Sequence, residues 1–105
     1  MIEKYNGWAS WETWLYTLEY GFDRNHDILQ DIIAEGKQKD YSKEEVKEQV
    51  YNTARNLIQE ELELIEEECV SLSSFIRSII SNGLRQVDIN EIARHETDDA
   101  MENWK

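Results

Sequence analysis

Four residues near the C-terminal end have the types and spacing to hold a divalent metal. Glu91 and His95 are four apart, on one face of any helix that carries them, and Asp98 and Asp99 follow in "HETDD". Such carboxylates and an imidazole are the donors of a hydrolytic metal site, and Glu91, His95 and Asp99 would be its ligands. Zinc sites, however, show a recognisable His or Cys pair, and this segment has no second His or Cys. The other histidine is His26, and the one cysteine, Cys69, follows three glutamates, a setting that disfavours the thiolate a nucleophile needs. There is no Gly-rich phosphate loop, GxSxG elbow, HExxH or CxxC. The expectation is no catalytic residue, no cofactor and no metal, with Glu91, His95 and Asp99 as ordinary helix-surface charge.

The second feature is "EELELIEEE", residues 60 to 68, which holds six glutamates and no base. On a helix Glu60, Glu63 and Glu67 line one edge and Glu61 and Glu68 another, flanking Leu62 and Ile65. A solvated face is the plain reading. The sharper one is a negative ridge that enters a basic groove in place of a nucleic-acid backbone. The chain carries a net charge of -12, with its basic residues scattered. A basic footprint for phosphate is therefore lacking, and no direct binding to DNA or RNA is expected. A basic protein partner is the complement.

The third feature is "NGWASWETW", residues 6 to 14, with Trp8, Trp11 and Trp14 in seven positions. Trp11, Trp14, Leu15 and Leu18 fall at i, i+3, i+4 and i+7, the spacing of one buried helix face. They read as core anchors, with Trp8 folded over the first turn like a staple. Trp8, Tyr16 and Tyr20 are the candidates for an exposed aromatic contact with a protein partner, since Trp and Tyr dominate interface hot spots. Tyr5 lies near them in sequence, and Gly7 suits a tight turn because it tolerates positive φ.

These features need elements to carry them, and the periodicity supplies helices. Ser10 can cap the first, which Gly21 ends. A second starts near Asp23 or Asn25, with Ile28, Leu29, Ile32 and Ile33 on one face and Gly36 just past its end as a left-handed C-cap. "SKEE", Ser42 to Glu45, is a capping box opening a helix of about 25 residues, roughly 37 Å, along which Val46, Val50, Ala54, Leu57, Ile58, Leu62 and Ile65 keep helical spacing. Ser71 opens a fourth, in which Leu72, Phe75, Ile76, Ile79 and Ile80 form an apolar stripe that Asn82 and Gly83 stop. "DINE", Asp88 to Glu91, again has capping-box spacing and starts a fifth, burying Ile89, Ile92 and Ala93. No segment alternates like a strand, proline is absent, and 40% of residues are apolar. The sequence predicts an all-α, compact single-domain bundle of about five helices over residues 1–105, with one long central helix. No apolar run approaches the roughly 20 residues of a membrane span, and no signal-peptide pattern opens the chain, so a soluble protein of a reducing compartment is expected.

Two segments carry a resemblance. Asn6 to Trp14 resembles the opening signature of a family of small proteins without settled activity, carried by bacteriophages, plasmids, archaea and archaeal viruses: Asn-Gly-aromatic, a capping Asn or Ser, then Thr-Trp. "VDINEIARH", Val87 to His95, is similar to that family's closing helix. The resemblance implies a mobile-element or viral setting in a host cytoplasm. Combined with the acidic ridge, it leads to the expectation of a non-enzymatic protein that binds a basic host protein and inhibits a nucleic-acid-handling defence system. The alternative is a self-associating helical assembly or virion-associated component, a homodimer using the long helix.

Overall fold

The computed structural model describes residues 7–20, 25–102 and 104, with Tyr20 placed only as backbone. Tyr5, Asn6, Gly21, Asp23 and the side chain of Tyr20 lie outside the described residues. Among the described residues five helices make the fold: α1 Trp11–Tyr20, α2 His26–Gln38, α3 Lys43–Glu68, α4 Ser74–Arg85 and α5 Ile89–Ala100. No strand occurs among the described residues.

Local chemistry sets the helix starts. The Ser10 hydroxyl accepts from the Thr13 N–H at 3.1 Å. Ser42 and Glu45 form the full capping box, at 3.1 and 2.9 Å, satisfying two N–H groups that a helix start leaves open. The backbone hydrogen bond from Ser42 also holds the Glu45 carboxyl below its ordinary pKa. Ser73, two residues beyond Ser71, caps α4, and Asp88 caps α5.

The long α3 is the spine. Val46, Val50, Ala54, Ile58 and Leu62, spaced by four, are all buried, and they meet Leu29 and Ile33 of α2 and Ile92, Ala93 and Ala100 of α5. α3 packs most extensively on α5 and then on α2. The result is one compact helical bundle, flattened to extents of 51 × 38 × 17 Å. Its radius of gyration is 15.9 Å, against about 13 Å for an ordinary domain of this length.

Several expectations are corrected by packing. Gly36 lies inside α2, not past its end, and is buried, because any Cβ there would overlap the Val46 side chain where α2 crosses α3. The left-handed residue of that connection is Asp40, φ 63°. α4 runs through Asn82 and Gly83 to Arg85, and none of its residues is buried. In α1 the expected face is only partly covered: Trp14 and Leu15 are half-buried, Trp11 is 47% and Leu18 61% exposed, and it is Thr13 and Thr17 that are buried. In α2, Leu29 and Ile33 are buried as expected, but Ile28 is exposed. Apolar spacing names a stripe, and only a neighbouring element can cover it. α1 packs on α5 alone to any extent, and α4 on α3 alone.

Candidate functional site

The inward face of α1 is chosen by hydrogen bonds. Thr13 is completely buried, and its Oγ1 accepts from the Asp88 N–H at 2.8 Å, just where α5 begins. Ser10 Oγ donates to the Gln86 carbonyl at 2.9 Å and lies 2.7 Å from Thr13 Oγ1. Gly7 has φ 93°, a turn conformation open to glycine without penalty. Just after it, the Ala9 N–H donates to Glu91 Oε1 at 3.0 Å, and the Trp8 ring meets His95 at 4.6 Å between centroids, tilted by 53°. The two segments singled out at opposite ends of the sequence are therefore joined side by side. Together they lock α1 onto α5.

That junction redefines several candidates. Trp8 packs on α5 rather than stapling the first turn of α1. Glu91 does not close a capping box on Asp88; its carboxylate takes the Ala9 N–H, while Asp88 alone caps the helix, accepting from the Glu91 N–H at 3.0 Å. Asp99 lies 3.9 Å from His26 on α2. Glu91, His95 and Asp99 thus point to different neighbours. Among the described residues no group of three His, Cys, Asp or Glu is placed to hold a metal ion.

The acidic segment lies on the C-terminal half of α3. Glu60, Glu63, Glu67 and Glu68 are exposed and Glu61 is half-buried. Glu63 accepts from Gln59 at 3.1 Å, and Glu66 from the Ser81 hydroxyl of α4 at 2.9 Å. Among the described residues no ion pair reaches Glu60, Glu63, Glu67 or Glu68; pairs formed elsewhere include Lys39–Glu35 and Lys47–Asp98. Glu63, Glu66 and Glu67 border a recess with Cys69, Arg77 and Ser81. The ridge therefore runs along one flank of α4.

On the other flank of α4 is an open groove of about 690 Å³, walled by Trp11 and Leu15 of α1, Ile65 of α3, and Ile79 and Leu84 of α4, with Val87 between helices. Glu12 and Glu19 of α1 stand at its rim. Tyr16 is half-buried, packs on the core and reaches this groove. Of the aromatic candidates, Trp8 and Tyr16 are thus largely taken up within the molecule, whereas Trp11, expected as a core anchor, is exposed. Beyond the groove the α4 stripe continues over Ile76, Phe75 and Leu72, all exposed. Sequence reasoning took the α1 side of this surface for core and named the α4 side only as an apolar stripe. The signal that could have found it is composition: residues 69 to 87 carry no acid, the longest such stretch in a chain with 23 acids.

No family model, curated protein or solved structure matches the chain. No helix among the described residues is long and apolar enough to cross a membrane.

Proposed function

We propose that this chain is a non-catalytic binding protein of a virus or mobile element. In this reading its acidic α3 edge docks on a basic, nucleic-acid-handling protein of the host cytoplasm and occupies the surface that would otherwise hold phosphate. The observation that carries the reading is the row Glu60, Glu63 and Glu67, exposed and without an ion pair among the described residues. Seven residues of helix rise about 10 Å, so the row places one negative charge per roughly 5 Å of axis. A DNA strand places one per about 3.4 Å. A rigid helix presents that density without the entropy cost of ordering a flexible acidic tail. The resemblance of residues 6–14 and 87–95 to proteins of phages, plasmids and archaeal viruses supports the setting.

The mechanism is electrostatic steering followed by short-range contact. Steering fades as the screening length falls from about 10 Å at 0.1 M salt to about 3 Å at 1 M. The test is capture of host proteins on the tagged chain at low and high salt, with Glu60→Lys/Glu63→Lys/Glu67→Lys as control. Expected is one basic nucleic-acid-handling complex, lost at high salt, lost with the variant, and displaced by added nucleic acid. A captured partner indifferent to both salt and charge reversal would remove the mimicry.

A further inference from the structure

α4 is anomalous in this molecule. It is an amphipathic helix with no buried residue, capped and regular, whose apolar stripe faces outward. Phe75 is 75% and Ile79 55% exposed, values that a monomer has no reason to keep on successive turns of one face. The stripe is also continuous with the groove: Ile79 and Leu84 wall it, and Ile76 and Phe75 prolong it as a ridge. One surface thus carries both a hollow and a projection. We propose that its occupant is a second copy of this chain, the α4 ridge of each copy seated between α1 and α4 of the other about a two-fold axis.

Two observations favour a second copy over a foreign partner. The first is self-complementarity, the requirement of an isologous interface. The second is charge. α4 contributes no acid, and its Arg77 and Arg85 border recesses with Glu63 and Glu66 on the α3 side rather than the groove, so the ridge itself is uncharged, while Glu12 and Glu19 stand at the groove's rim. A foreign basic partner would be drawn instead to the α3 edge, beyond the other flank of α4. Two molecules of net charge -12 meet with least repulsion where one brings a surface without acids, and the 69–87 stretch is that surface. Joining two flattened bundles face to face would give each the second layer it lacks. The acidic α3 edges stay outside this contact, so the dimer and the host complex are independent readings.

Sedimentation velocity over a range of protein concentrations tests this. The mass is expected to rise from 12.5 kDa to twice that value, and added salt should tighten the dimer, because screening weakens repulsion between like-charged copies. Phe75→Glu should weaken association by more than about tenfold while leaving helical circular dichroism unchanged, and Ile79→Glu should do the same. Glu60→Lys/Glu63→Lys/Glu67→Lys should leave the dimer intact. A wild-type mass of 12.5 kDa at every concentration would overturn the proposal. So would a dimer that survives both α4 variants, or one that salt dissociates.

Discussion

Thr13→Val isolates the lock between α1 and α5. The substitution keeps the branched shape of a fully buried side chain and replaces one oxygen with a methyl group. That oxygen is the acceptor for the Asp88 N–H at 2.8 Å and the neighbour of Ser10 Oγ at 2.7 Å. Depriving the Asp88 N–H, in a part-buried hydrogen bond, of its acceptor costs about 1–2 kcal/mol, and the lost hydroxyl pair adds about 0.5–1.5 kcal/mol. The extra buried methyl returns about 0.8 kcal/mol. The expected loss is about 2 kcal/mol, or roughly 8–16 °C in Tm for a domain of this size. Thr13→Ser keeps the oxygen and removes a methyl, so its cost should be near 1 kcal/mol. Urea and thermal unfolding, followed by circular dichroism and tryptophan fluorescence, give the two values. Because α1 packs substantially on α5 alone, amide exchange should accelerate first in α1, with α3 unaffected. A valine variant within about 0.5 kcal/mol of wild type, or less costly than serine, would refute the assignment of Thr13 as a hydrogen-bonding hub.

Other perturbations follow from equally local geometry. Gly36→Ala gains about 1 kcal/mol of helix propensity, but its Cβ meets the stiff, buried Val46, and overpacking of up to about 3 kcal/mol should leave it net destabilised. Gly83→Ala has open space around the same added atom and should stabilise by about 0.5–1 kcal/mol. Equal denaturation midpoints for the two variants would contradict the α2–α3 crossing. Glu63→Lys turns like-charge neighbours Glu60 and Glu67 into attractive ones and should stabilise α3 by about 0.5–1 kcal/mol in low salt, an effect that vanishes in high salt. The Glu45 carboxyl is held below its ordinary pKa by the Ser42 N–H. The stability it contributes is therefore complete above the ordinary glutamate value of 4.5 and is lost as pH falls through the lowered one. Amide resonances of residues 42–46 should report that fraying, and in a Glu45→Gln variant, which has no carboxyl to titrate, the transition should disappear.

The sequence by itself determined what depends on neighbours along the chain. Ser10, Ser42 and Asp88 cap the helices they were expected to cap, because a cap needs only its own first turn. The long α3 and its buried row were legible for the same reason: five positions spaced by four define one face wherever the helix lies. The all-α class follows from these signals together. The sequence also read correctly that Glu60, Glu63 and Glu67 share an edge, since helical spacing alone places them there.

Tertiary structure decided everything that requires a second element. Trp11, Leu18, Phe75 and Ile79 have the spacing of core residues and are exposed, because burial depends on whether another helix arrives and, among the described residues, none covers the outer faces of α4 and α1. Gly36 resembled a cap by its place near a helix end, but its role is close approach to Val46, set by a crossing no local pattern encodes. Glu91 had the spacing of a capping box and was diverted by the Ala9 N–H, 82 residues away in sequence. The meeting of residues 8–13 with 86–95 is likewise a property of the folded chain, made by the seating of α1 on α5.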